Sequence, residues 1–253
     1  MSIDVIDLRN FYSHRLGFVT RRLMWQALAA RWPDTRGKRV LGIGYCTPYL
    51  GLFQDSAERC LAFMPAAQGV LKWPTAKPTL SALVDEHDLP LADSTIDRIL
   101  LVHAVEMSND PASLLREVWR VLAPGGQVMA VIPNRGGLWV RSERTPFGHG
   151  RPYSRAQITN LLRQTWFTPS HWSEALYVPP VRSPWMLRSA DLWERTGGAL
   201  GAPFAGVHIV VASKQVYRCV PVRKERTRLI PALEPVLAPA PSPSPRSSDI
   251  HLD

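Results

Sequence analysis

Two side chains in this 253-residue chain are suited to moving a proton at one place, His103 and Glu106, which close the apolar run 98–106. An imidazole exchanges a proton near neutral pH and can act as a general base; a carboxylate three residues on can orient it or hold a substrate amine. A histidine at a strand end is equally a structural hydrogen-bonder, and both readings stand. Asp85 and Glu86 open the polar run 85–97 that leads into the same strand. A third group lies in RVLGIGYCTPYL, residues 39–50. Val40 to Gly44 has no solvent face and suits a strand buried on both sides of a parallel sheet. Gly44 lets the backbone pass close to a nucleotide-like ligand, and Tyr45 to Tyr49 makes a turn that opens a helix. Ligands of open α/β sheets bind outside the carboxyl ends of the strands, where all three groups fall.

The elements that must position these groups follow in order. No proline interrupts residues 7–32, where Leu8, Phe11, Tyr12, Leu16, Val19, Leu23, Leu28 and Trp32 recur near helical spacing, broken only by Gly17. One or two amphipathic helices are expected there, ending before Pro33. Further strands are expected at 60–64 and 81–84, with an exposed connection over 69–78. Asp110-Pro111 starts a helix whose apolar face is Leu114, Leu115, Val118, Trp119 and Leu122. Pro124-Gly125-Gly126 stops it before a fifth strand at 127–132. The stretch from Asn134 to Ile158 has no regular period; it is either a structural insertion or a substrate-gating loop. In the second case Arg135, Arg141, His149, Arg151 and Tyr153 would grip an anion. A helix capped by Ser154 runs to 164, a sixth strand is expected at 174–178, a helix at 187–200 and a last strand at 207–214.

Three stretches together carry a resemblance to the class I S-adenosylmethionine (SAM)-dependent methyltransferases, of the type 11 kind. VLGIGYCTP resembles that family's first motif, V-L-D-I-G-C-G-T-G, with Gly44 on its first glycine; Gly42 replaces the acid, and Cys46 and Pro48 replace the later glycines. The run from Asp85 to Asp97 resembles D-A-x-x-L-P-F-x-D-x-S-F-D. LLREVWRVLAPGGQVMAVIPN is similar to L-x-E-x-x-R-V-L-K-P-G-G-x-L-x-x-x-x-P-N. The resemblance covers roughly residues 36–218. It implies a Rossmann-like sheet of seven strands with helices on both faces and an antiparallel last strand. It implies SAM as cofactor, with Gly42, Gly44, Tyr45, Thr47, Met64, Asp85, Glu86 and His103 around it, Asp85 accepting from the adenine amino group, and His103 and Glu106 facing the methyl group. An N-terminal helix would lie beside the cofactor, so Phe11 and Tyr12 either line that pocket or pack the core. Met64-Pro65 stands where the family has an acid for the ribose hydroxyls, and hydrogen bonds to a charged group are each worth about 1.5–3 kcal/mol. Two functions follow: methyl transfer to an acceptor of anionic character, or a methyltransferase fold without catalysis that serves as a binding or regulatory partner of another protein.

Composition bounds the rest. A chain with 45% hydrophobic residues fits one domain, expected over 1–220 with a helical segment at 1–35, followed by a disordered tail at 221–253 rich in proline and serine. Three cysteines without a CxxC pair suggest neither a disulfide framework nor a zinc site, and no metal is expected. The acidic start and the lack of a long apolar run point to a cytoplasmic protein without a membrane partner. The net charge of +9 is uneven: residues 1–40 hold eight basic against three acidic side chains, and residues 135–163 six against one. This is either a solvated basic surface or a site for an anion. Nucleic acid is not expected, because no recognition motif accompanies the arginines.

Overall fold

The computed structural model describes residues 3–181, 183–201 and 204–214. Seven strands form one sheet in the order β3-β2-β1-β4-β5-β7-β6. These are β1 (Arg39–Gly44), β2 (Arg59–Pro65), β3 (Ser81–Val84), β4 (Ile96–Val102), β5 (Leu122–Pro133), β6 (Phe167–Ala175) and β7 (Val207–Lys214). The first five pair in parallel, and β7 runs antiparallel to both β5 and β6. The expected seven-stranded α/β fold with an antiparallel last strand is therefore present.

Alternation along the strands divides the core in two. Val40, Leu100, Val102, Met129 and Ile209 face one side with α1 (Val5–Ser13), α2 (Arg15–Ala29) and α3 (Thr47–Gln54). Leu41, Ile43, Ile99, Leu101 and Val128 face the other with α4 (Pro111–Val121) and α5 (Arg155–Gln164). Both layers are buried because the sheet is covered by helices on both faces. The helices start where side chains satisfy their first amides: Asp110 Oδ1 accepts from Ala112 N and Ser113 N, and Ser154 with Gln157 closes a capping box.

Several expectations needed correction. The N-terminal helical stretch breaks at His14, not at Gly17; Gly17 lies inside α2, where a Cβ would stand 2.0 Å from the Phe11 carbonyl oxygen, so its lack of a side chain lets the two helices meet. The sixth strand occupies Phe167–Ala175 rather than 174–178, because its ladder with β7 begins at the Phe167–Lys214 pair. The fourth strand ends at Val102, so His103 and Glu106 lie in the turn beyond it. The helix expected at 187–200 is two helices, α6 (Pro184–Arg188) and α7 (Ala190–Ala199). The tail at 221–253 lies outside the described residues. No helix among the described residues is long and apolar enough to cross a membrane.

Candidate active site

The sheet order reverses between β1 and β4, and a crevice at such a switch point is where open α/β sheets take ligands. Gly44 ends β1 with φ +87°, and Tyr45 N donates to the Val102 carbonyl at 2.8 Å. A Cβ on Gly44 would sit 2.3 Å from that carbonyl oxygen, so only glycine allows the loop to close on β4. Cys46 then turns inward, its Sγ 3.1 Å from the Ile43 oxygen, and burial pushes its thiol pKa up. The start of α3 is held by α2, since Trp25 Nε1 donates to the Pro48 carbonyl at 2.8 Å.

His103 has φ +53°, a left-handed conformation uncommon outside glycine and often found at functional positions. This turn gives both ring nitrogens partners. Tyr49 OH donates to Tyr12 OH at 2.9 Å, Tyr12 OH lies 2.9 Å from His103 Nε2, and His103 Nδ1 lies 3.1 Å from Glu106 Oε1. Burial pushes both phenols' pKa values up, so both keep their hydroxyl protons. With the His103 ring neutral and protonated at Nδ1, Tyr12 donates to Nε2 and Nδ1–H donates to Glu106 Oε1. Gln68 Nε2 donates to the His103 carbonyl. All five residues are buried, and Glu106 Oε2 alone in this chain of atoms lacks a hydrogen-bond partner. Such a network polarises its members and is costly to leave incomplete.

The other residues expected around a cofactor divide into two groups. Gly44, Tyr45, Thr47 and His103 gather at the switch point, and Asp85 and Glu86 stand beyond the end of β3. There His87 Nδ1 is 3.3 Å from Asp85 and its Nε2 3.6 Å from Glu86; Asp85 remains two-thirds exposed. Gly42 does not join them. It sits mid-strand under Cys46 and Leu50, where a Cβ would be 2.6 Å from the Cys46 Cβ, so it serves the packing of α3. Met64 is buried, and its Sδ accepts the Leu71 N–H at 3.3 Å.

These observations test the cofactor implied by the sequence resemblance. The rim fits a nucleoside: Asp85 presents a free carboxylate edge, and Gly44 leaves the backbone bare. The end of β2 offers no charged acceptor, because Met64 is there. The centre is filled by Tyr12, stacked on Tyr45 at 5.6 Å and 25° and edge-on to Tyr49 at 5.9 Å. The centre therefore fits the group only when Tyr12 stands elsewhere.

The loop after β5 is built rather than loose. Trp139 is fully buried and donates from Nε1 to the Val178 carbonyl at 2.8 Å, while Phe147 packs 4.9 Å from the His103 ring. Arg141 and His149, joined by Arg144 and His14, line a groove of about 980 Å³ between this loop and α1. Arg151 lies in a second hollow beside Glu106, and Tyr153 bridges to Asn134, so the five proposed anion-gripping residues do not share one pocket. Sequence reasoning missed Tyr49, Gln68 and Phe147. Tyr49 closes the turn that opens α3, and Gln68 and Phe147 lie in connections without a regular period, where local sequence carries no signal of a side chain's partner.

Residues 27–130 match the family described as methyltransferase domain. A protein of Mycolicibacterium smegmatis described as "Probable S-adenosylmethionine-dependent methyltransferase" is 33% identical over 82 residues, which is 32% of each chain. The match thus spans about a third of the length of that curated relative. A SAM-dependent methyltransferase of Thermotoga maritima superposes with a TM-score of 0.59 at 16% identity, covering 83% of this chain and 95% of that one. One from Mesorhizobium loti gives 0.55 at 16% identity, covering 75% and 97%. These two likenesses are of fold.

Proposed function

We propose that this chain, whose residues 27–130 match the methyltransferase domain family, is a class I SAM-dependent methyltransferase that transfers a methyl group to a small acceptor of anionic character at the carboxyl end of β4. The family's cofactor is S-adenosylmethionine, which when bound supplies an electrophilic methyl group on a sulfonium. Gly44, Thr47 and Asp85 would hold it. The observation that carries the reading is the buried His103–Glu106 pair at the switch point, with Nδ1 3.1 Å from Oε1 and Glu106 Oε2 unpartnered. In a displacement, catalysis consists mainly of positioning, with a base needed when the nucleophile carries a proton. Glu106 Oε2 would take that proton. His103, whose Nδ1 lies 3.1 Å from Glu106 Oε1, would steady the carboxylate.

A second reading is favoured by the filled crevice and by Met64 in place of a ribose acceptor: a methyltransferase fold that no longer turns over and acts as a binding partner of another protein. Thermal unfolding with SAM and S-adenosylhomocysteine separates the two. Ligand at about a hundred times its Kd stabilises a folded protein by about 2.7 kcal/mol, roughly 5–11 °C for a domain of this size. That shift, together with radiolabel from [methyl-³H]SAM appearing in a metabolite extract, supports methyl transfer. A flat profile at millimolar ligand supports the second reading.

A further inference from the structure

Arginine alternates with large apolar side chains over an exposed face built from α2, α6 and α7. Among the described residues the three most exposed large apolar side chains are Leu200, Trp185 and Leu192, at 82%, 71% and 62%, and all belong to α6, α7 or the residue that ends α7. Only Ser189 separates the two helices. Trp185, Arg188, Leu192 and Arg195 follow one another at steps of three and four residues, and all four are exposed. The inner side of the pair is anchored, since Leu187 and Ala190 are buried in the core layer that holds α2. The outer stripe is therefore fixed in place and faces solvent.

α2 continues this face. Phe18, Arg22 and Trp25 are exposed at i, i+4 and i+7, and the Arg21 guanidinium lies 5.3 Å from the centre of the Phe18 ring and 5.9 Å from that of Trp25. Arg22 Nη2 reaches Asp191 Oδ1 at 3.0 Å, so an ion pair joins the α2 stripe to the residue beside Leu192. Asp191 is thereby neutralised, and Glu194 turns to the backbone, accepting from Tyr177 N at 2.8 Å. Among the described residues Arg15, Arg21, Arg188 and Arg195 make no ion pair. Phe18, Trp25, Trp185 and Leu192 each have an arginine one helical turn away.

This interleaving favours one kind of partner. A protein interface gathers its apolar side chains in a core depleted of charge, with polar groups at the rim. A bilayer surface takes the mixture: aromatic rings sit at headgroup level, leucine reaches the acyl boundary, and arginine meets lipid phosphate. We infer that the face of α2, α6 and α7 rests on an anionic lipid surface, with Trp185 and Leu192 entering the headgroup region and the arginines lying against its negative charge. Arg15, Arg21 and Arg22 supply part of the basic excess of residues 1–40, so that excess has a site as well as a sign. A protein held in this way lies on the membrane and needs no spanning helix. The inference does not depend on the cofactor reading. Each arginine near an anionic surface strengthens partitioning about fivefold, and the attraction fades within about 8–10 Å at moderate salt.

The test is co-sedimentation of the full chain with vesicles of phosphatidylcholine alone or with about 30% phosphatidylglycerol, at low salt and at about 0.5 M salt. The wild type should bind the anionic vesicles at least about tenfold more strongly than the neutral ones and lose most of that preference at high salt. Trp185→Ser with Leu192→Ser, and separately Arg188→Glu with Arg195→Glu, should each weaken binding at least about tenfold. Arg116→Glu with Arg163→Glu makes the same charge change on exposed residues of α4 and α5, across the sheet, and should stay within about threefold of the wild type. Absence of wild-type binding to anionic vesicles at low salt, equal binding to both kinds of vesicle, or equal losses in the α4–α5 variant overturns the inference. Binding untouched by both face variants overturns it too, since attachment would then lie elsewhere on the chain. A wild-type dimer in sedimentation velocity that Trp185→Ser with Leu192→Ser splits, without vesicle binding, would make the face a contact between two copies instead.

Discussion

At the scale of residues, Glu106 and Gly44 do opposite work. Glu106 is a buried carboxylate with one oxygen on His103 and one without a partner. Glu106→Gln keeps the shape and removes the proton acceptor. Methyl transfer should fall about 10²–10⁴-fold while S-adenosylhomocysteine affinity stays within about threefold; equal losses in both would make Glu106 a structural residue. Gly44 holds the loop against β4 at a positive φ, and a Cβ would meet a backbone oxygen that has no room to yield. Gly44→Ala should cost about 2–4 kcal/mol in urea unfolding, and a loss below about 1 kcal/mol would mean that the corner yields to a side chain. Gly44, His103 and Glu106 were legible in the sequence because strand ends can be read from apolar runs. Tyr12 was legible only as an aromatic on an amphipathic helix: spacing gives the face of a helix, and nothing local tells what a phenol meets 91 residues away.

Among the elements, a local signal was read well at the start of α4, where Asp110-Pro111 caps the helix, but α4 ends at Val121 and β5 begins at Leu122, so Pro124-Gly125-Gly126 lie within that strand rather than stopping the helix before one at 127–132. β6 was misplaced because its residues, FTPSHWSEA, contain a proline and many polar side chains; its ladder comes from β7, a tertiary fact. The run from Asp85 to Asp97 is held by Arg120 of α4, which donates to the carbonyls of Leu89 and Leu91 and to Glu117 and Asp93. Arg120→Ala should lower the melting temperature by roughly 4–8 °C, about 2 kcal/mol for a half-exposed cluster, and should weaken nucleoside binding by loosening Asp85. An unchanged melting temperature would show that the turn holds itself. At the β6–β7 edge, burial pulls the His208 pKa below its ordinary value, opposed by Glu174 at 3.2 Å and helped by Arg155. The folded state therefore binds fewer protons than the unfolded one, so this contribution is present above about pH 6.5 and is lost as pH falls below it. His208→Gln should reduce the drop in urea midpoint between about pH 7.5 and 5.5; a drop as large as the wild type's would place that dependence elsewhere.

For the whole molecule, seven strands and two buried layers make a rigid frame, and one helix at its edge meets both the crevice and the groove. The fold was legible because patterning of buried strands and helix caps repeats along the chain. The state of the crevice was not, since motif letters report which backbone approaches a ligand and not which side chain already stands there. The account depends on a nucleoside lodging between Gly44 and Asp85. The direct measurement is equilibrium dialysis of S-adenosylhomocysteine against the wild type and Asp85→Asn, whose exposed side chain is free to change without unfolding the domain. Saturable binding of one ligand per chain, weakened about tenfold by Asp85→Asn, is the predicted result. Equal affinity in the two proteins, or no binding by either, would contradict it.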